Sequence, residues 1–259
     1  MDLGLRGRRA IVTGGSRGIG AATAAALRAE GAEVAVIGRD RDALAAVAAA
    51  HGAHPVVADL ATAEGVVSGV AQCLDALGGV DILVNNAGAS PGGNLDDVTD
   101  EQWYESFDLK VMGYVRCMRA VLPVMREQRH GRIVNVGGTG VLRATPGYAL
   151  AALGAALVHL TRSTAELVGP DGVTVTMVHP GPTMTERLRA MLTHGAERAG
   201  TGVDEFARDV VGRSLPLGRV GSPDEVAAVI TILCSEQAAW ITGGGLTIDG
   251  GAAQGVVGG

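Results

Sequence analysis

The sequence predicts an α/β fold in which helices cover both faces of a doubly wound parallel sheet. Short β-branched runs alternate with longer helical segments from end to end, and most runs are continuously apolar, as strands buried on both faces must be. A glycine-rich turn joins the first run to the first helical segment. Strands are expected at 10–13, 33–37, 55–57, 82–84, 132–136, 173–178 and 246–248. Helices are expected near 20–30, 40–50, 61–77, 100–128, 148–168 and 223–235. Asp40 and Asp100 are placed to cap the second and fourth helices, and Ser222-Pro223-Asp224-Glu225 puts a cap, a first-turn proline and acids at the sixth. Repeated βα units imply right-handed crossovers within one sheet. Only 181–221 lacks a clear pattern. In an open sheet, a long excursion after a late strand lies over the crevice at the strand C-termini, so 182–221 is expected to be a substrate lid. No linker, charge run or internal repeat divides 1–259, which reads as a single domain.

Composition excludes several classes of function. With 47% hydrophobic and 19% charged residues, disorder is set aside, and 259 residues suffice for one sizeable core. A formal charge of −6 argues against a nucleic-acid backbone as partner. The chain start runs directly into a strand without an apolar segment of signal-peptide length. The most apolar helical stretch, 149–160, is too short to cross a bilayer, so a cytoplasmic protein without a membrane partner is expected. Cys73, Cys117 and Cys234 fit no metal-ligand spacing and read as buried reduced thiols. No His/Cys/Asp cluster suggests a metal. The 21 basic residues comprise 20 arginines and a single lysine, Lys110. Any role that needs a lysine falls to Lys110 or goes unfilled.

Thr13-Gly14-Gly15-Ser16-Arg17-Gly18-Ile19-Gly20 follows the first strand and opens the first helix. Glycines there permit a tight turn and let a pyrophosphate approach backbone N–H groups at the helix N-terminus. Further on stand Asp59-Leu60, Asn85-Asn86-Ala87-Gly88, Pro180-Gly181 with Thr183 and Thr185, and Ile241-Thr242-Gly243 through Asp249-Gly250-Gly251. In these residues the chain resembles the short-chain dehydrogenase/reductase family over essentially its whole length. The resemblance implies a Rossmann-type domain over 1–259 and a nicotinamide dinucleotide as cofactor. It assigns Gly14, Ser16, Arg17, Gly18, Ile19 and Gly20 to the phosphate turn, and Asp59 and Leu60 to the adenine. Asn86, Ala87 and Gly88 are assigned to the signature after the fourth strand, and Pro180, Gly181, Thr183 and Thr185 to the turn that holds the carboxamide. It also implies a homodimer or homotetramer formed through the fourth and fifth helices and the last strand.

Cofactor choice has a physical argument. NAD is usually recognised by an acid after the second strand that takes the ribose hydroxyls. Here Gly38-Arg39 occupies that place, Arg17 adds a second cation, and a guanidinium suits the 2′-phosphate of NADP. NADP(H) is therefore preferred over NAD(H), which stays possible.

The chemistry departs from the family. There, a tyrosine passes the proton, a lysine four residues later lowers its pKa, a serine binds the substrate oxygen and an asparagine on the fourth helix anchors a water. Aligning on Gly131 to Val136 puts Gly138 at the serine, with Thr139 next to it. Aligning on Leu160-Thr161-Arg162 puts Leu150 at the tyrosine and Gly154 at the lysine, while Lys110 stands at the asparagine. Hydride transfer then requires a rearranged acid: Lys110 supplies the cation, with Tyr148 or Thr139 as hydroxyl and Tyr114 a weaker candidate. Two alternatives stay open, a non-redox cyclase, dehydratase or isomerase and a non-catalytic dinucleotide sensor or partner subunit. His159, inside an apolar helix, reads as a packed side chain, and His179 before Pro180 as a structural residue near the nicotinamide. The excursion offers Met184, Leu188, Met191, Leu192, Phe206, Val210 and Val211 to a small-molecule substrate of apolar character. Its arginines are offset by acids, so no preference for an acidic substrate is expected.

Overall fold

The computed structural model describes residues 1–88, 91–142 and 147–253, so the expected unit 1–259 extends past it in three places. Seven parallel strands form one sheet: β1 (Arg9–Thr13), β2 (Glu33–Gly38), β3 (His54–Val57), β4 (Ile82–Asn85), β5 (Gly131–Val136), β6 (Val173–Pro180) and β7 (Gly245–Ile248). Their order is β3-β2-β1-β4-β5-β6-β7. Each expected strand is present, with ends displaced by no more than two residues. The order reverses between β1 and β4, where Val12 pairs with Val84, and that switch point opens a crevice at the strand C-termini.

Helices α1 (Gly18–Ala29), α2 (Arg41–His51), α3 (Ala63–Leu77), α4 (Asp100–Ser106), α5 (Gly113–Gln128), α6 (Ala152–Val168), α7 (Glu186–Ala199), α8 (Val203–Val210) and α9 (Pro223–Leu233) complete the layers. One core joins Leu27, Val34, Val36, Val226, Ile230 and Leu233 on the α1/α9 face of the sheet. The other joins Val66, Val70, Cys73, Val121, Met125 and Val168 on the opposite face. All three cysteines are buried and free, and burial pushes each thiol up to about 12. No described helix is long and apolar enough to cross a membrane.

Asp40 caps α2 by accepting from the Ala43 amide, and Ser222 forms a capping box with Glu225 at α9. At α4 the expected cap shifts by one. Thr99 is the N-cap, paired reciprocally with Gln102, and Asp100 lies in the first turn, where its charge meets the positive end of the helix.

The helix expected over 100–128 is broken by a π-helical segment, Phe107–Met112, that closes with a bond from the Gly113 amide to the Asp108 carbonyl. A Cβ on Gly113 would stand 3.0 Å from the Leu60 carbonyl oxygen, so glycine lets the helix approach the β3–α3 connection at this bulge. The excursion 181–221 is helical, containing α7 and α8, and this corrects the patternless reading. The helical period was there to be read: Leu188, Met191, Leu192 and Ala196 in α7 and Val203, Phe206, Ala207 and Val210 in α8 recur at i, i+3, i+4 and i+7 or i+8. Ala196 and Ala207 are nonetheless the one buried residue of each helix. The ends carried a second signal. Thr185 caps α7 by accepting from the Leu188 amide, and Gly200 stops it at φ +67°.

Candidate active site

The turn after β1 is locked to the end of β4. Thr13 Oγ1 accepts the amides of Asn86 (2.9 Å) and Ala87 (3.1 Å), while Asn86 Nδ2 donates to the carbonyls of Thr13 and Gly14 at 3.1 Å each. Gly14 turns at φ +63°, and any Cβ on Gly20 would collide with the Gly14 carbonyl and the Asn86 amide. The first helix starts from this turn, and no side chain caps it. Deeper in, Asn85 Nδ2 donates to Asn135 Oδ1 (2.9 Å), and Asn135 Nδ2 donates to Thr161 Oγ1 (3.0 Å), tying β4, β5 and α6 together beneath the floor.

A cavity of about 710 Å³ lies over this turn. It gathers Gly14, Arg17, Gly18, Ile19, Asn86, Ala87, Gly88, Pro180, Gly181, Thr183 and Thr185 from the expected set, together with Lys110 and Tyr148. A second cavity of about 500 Å³ adjoins it and is lined by Thr139, Leu188, Met191, Val211 and Leu215 among others. Tyr148, Pro180, Gly181 and Arg187 border both. Ala252 and Ala253, missed in the sequence, also line the smaller cavity. They are held there because Asp249 accepts the amides of Gly251 (2.9 Å) and Ala253 (2.7 Å).

Five expected cofactor residues lie outside these walls: Gly20, which packs beneath the turn, and Ser16, Arg39, Asp59 and Leu60. Ser16 packs near Gly38, and Arg39 is exposed at the end of β2. The Asp59 carboxylate accepts the Ala61 amide, and Leu60 is buried in the core. Arg17 reaches from the turn to the Asp40 carboxylate. Thr183 Oγ1 donates to the Gly181 carbonyl (2.9 Å), and Thr185 packs against Gly18, fastening the excursion to the glycine turn.

Lys110 sits on the π-helical segment and runs over Gly88, its Cδ 3.4 Å from where a Cβ on that glycine would stand. It is half-buried, and among the described residues no carboxylate lies within ion-pair reach of it. Burial pushes its ammonium down to about 8, and the Arg187 charge acts in the same direction. Tyr148, 40% exposed, is held at the junction of the cavities by a bridge to Gly93. Tyr114 is a correction: it is fully buried, its hydroxyl donates to the Val136 carbonyl (3.0 Å), and burial raises its phenol far above the usual range. His159 is another: it projects from an outer, exposed stretch of α6 rather than packing inside. His179 is buried with Nδ1 3.3 Å from the Gly138 carbonyl oxygen, and burial keeps its imidazole low.

A family model described as enoyl-(acyl carrier protein) reductase matches residues 14–253. The short-chain reductase protein NovJ of Streptomyces niveus is 36% identical over 93% of this chain and 92% of its own length. The chain belongs to the short-chain dehydrogenase/reductase family. Its class is oxidoreductase. The 3-oxoacyl-[acyl-carrier-protein] reductase FabG of Escherichia coli is 34% identical over 96% of this chain and 98% of its own. L-Sorbose reductase from Gluconobacter frateurii, solved with NADPH and L-sorbose, superimposes with a TM-score of 0.93 at 30% identity, covering 99% of this chain and 100% of its own. Within this family fold, Leu150 is buried in a cluster with Val98, Val111 and Leu153. A Cβ on Gly154 would stand 3.2 Å from the Val141 Cβ, so a lysine there has no path to the crevice unless Val141 shifts. Neither residue borders either cavity.

Proposed function

We propose that this chain transfers hydride between NADP(H) and a carbonyl or alcohol group of a small to medium, largely apolar substrate, with Lys110 as the proton-bearing group. Lys110 carries the reading: the chain's single lysine stands in the wall of the large cavity, without a carboxylate partner among the described residues, where the resemblance places an asparagine. The cradle suits a dinucleotide, because Gly14, Gly18 and Gly20 leave the α1 amides open to a pyrophosphate and Thr183 and Thr185 stand across from them. Arg17 and Arg39, at the end of β2, would receive a 2′-phosphate, with Arg17 exchanging Asp40 for it. The NADPH bound to the sorbose reductase at 30% identity supports the same choice over NAD(H). When bound, the cofactor supplies or accepts the hydride.

Lys110 Nζ holds a proton for the substrate oxygen. Held near 8, it releases that proton more readily than an exposed lysine and replaces the phenol that position 150 lacks. Tyr148 and Thr139 border the smaller cavity and orient the oxygen by hydrogen bonding. The excursion 182–221 acts as the lid, and the 1–259 unit works in the cytoplasm as a homodimer or homotetramer. The test is loss of reduced-nicotinamide absorbance with a panel of ketones. Turnover that stops in Lys110→Met supports the reading. Conversion without net cofactor change would instead make the protein a cyclase, dehydratase or isomerase, and cofactor binding without any turnover would make it a sensor.

A further inference from the structure

Arg17 and Asp40 each stand at the start of a helix, and they meet across the glycine turn. Arg17 is the N-cap of α1, in extended backbone, and its side chain makes no cap bond. Its guanidinium donates instead to the Asp40 carboxylate. Asp40 is the N-cap of α2, so its carboxylate has two duties: Oδ1 accepts the Ala43 amide at 3.0 Å, and Oδ2 accepts Arg17 Nη2. The capping bond fixes the carboxylate in place beside the turn. Of the described carboxylates, Asp40 is the one within ion-pair reach of Arg17. Glu186, in the same cavity wall, faces Gly18. Arg39, next to Asp40, is exposed and has no ion-pair partner among the described residues. The place expected for a 2′-phosphate thus holds two cations and a carboxylate that already claims one of them.

We propose that Asp40 sets the cofactor preference of this chain: it is a resident counter-ion for Arg17 that a 2′-phosphate must displace, so NADP(H) binds at the cost of one ion pair and NAD(H) binds without breaking it. This rests on the reading of Arg17 as a phosphate receiver and names the residue that limits it. Two effects act in the same direction. Arg17 gives up its partner when it turns to the phosphate, and the fixed carboxylate then stands beside a second anion. The exchange is open to a ligand because both side chains are wet, Arg17 62% and Asp40 43% exposed, and solvent weakens a pair of that kind. Asp40 is a positioning residue here, acting on the phosphate through Arg17.

Asp40→Asn separates the two duties, because an asparagine oxygen still caps α2 while its neutral amide offers Arg17 no counter-charge. Calorimetric titration with NADP⁺ and with NAD⁺ gives the ratio of the two dissociation constants without any turnover. Asp40→Asn is expected to raise the preference for NADP⁺ over NAD⁺ about threefold to tenfold, through tighter NADP⁺. Asp40→Ser, another uncharged cap, is expected to match it and carries the test if asparagine disturbs α2. Arg17→Gln is expected to lower the same preference at least about tenfold. An unchanged or lower preference in the Asp40 variants overturns the proposal. So does an equal gain for both cofactors, which a change of scaffold alone would give. If Arg17→Gln keeps the wild-type preference, the phosphate reading falls and takes this inference with it. If Arg17→Gln loses that preference and the Asp40 variants gain none, the inference alone falls.

Discussion

The two ends of the sheet handle charge in opposite ways. At the N-terminal end Asp81 is buried, yet it accepts Arg9 Nε (2.8 Å), Arg9 Nη2 (3.0 Å) and the Arg9 amide (2.9 Å). Nearby, Arg132 is 4% exposed, with Nη2 3.0 Å from Glu236. Burial alone would push the Asp81 carboxyl up, but the Arg9 hydrogen bonds and charge together hold it below its usual range. At the C-terminal end, Lys110 meets another cation instead of a carboxylate. Charges that serve stability are buried with their partners, whereas a charge kept for chemistry is left unmatched at the crevice and its pKa is displaced.

That contrast predicts a separation of effects between two substitutions. Lys110→Met should lower kcat by about 10²–10⁴-fold and leave the melting temperature unchanged or higher, because it removes a half-buried ammonium without an ion-pair partner. A variant that melts earlier but reduces ketones at the wild-type rate would show that Lys110 belongs to the scaffold. Asp81→Asn should do the reverse. Denaturant titration should show a loss of about 3 kcal/mol, since Arg9 would face a buried neutral amide, while the folded fraction keeps its turnover. Because the folded Asp81 pKa is depressed, its contribution is present above the unfolded carboxylate pKa and fades as pH falls through the folded value. Acid sensitivity should therefore diminish in Asp81→Asn and persist in Lys110→Met.

The rate profile sharpens the comparison from the other side. A proton donor at Lys110 works only while protonated, so kcat for a neutral ketone should fall as pH rises through about 8. The charged and titratable groups sharing its cavity are Arg17, Arg187, Glu186 and Tyr148, with His179 close by. Of these, His179 is held low by burial, so its deprotonation would give a limb on the acid side instead. A profile flat from neutrality to pH 10 would exclude Lys110 as the acid.

The fold was legible because its signals are local and repeated. Apolar runs, the Thr13–Gly20 turn and the Ser222 cap each fix an element without knowledge of the rest. Lys110 was legible by elimination, being the chain's only lysine. What escaped depends on where segments meet. Along the chain Arg187, Arg189 and Arg208 are offset by Glu186, Asp204, Glu205 and Asp209, but which of them meet is set in space. Arg189 pairs with Asp204 and Arg208 with Asp209 on the outer surface, while Arg187 and Glu186 border the larger cavity. Tyr114 shows the same limit. Helical spacing sets it one turn beyond Lys110, but the π-helical segment intervenes, and its hydroxyl lies under β5.

Tyr114 also offers the smallest and most discriminating test. Its hydroxyl makes one buried hydrogen bond, to the Val136 carbonyl at 3.0 Å, and its phenol is pushed away from any working pH. Tyr114→Phe keeps the ring and removes that bond, so stability should fall by about 1 kcal/mol. The rate and its alkaline limb should stay in place, because a phenol that cannot ionise in the working range passes no proton. Tyr148→Phe, at the junction of the cavities, should instead weaken kcat/KM by about tenfold, the cost of one hydrogen bond to the substrate oxygen. If the Tyr114 variant proves the slower of the two, proton delivery runs past the end of β5 rather than through the crevice, and Lys110 loses its assigned role.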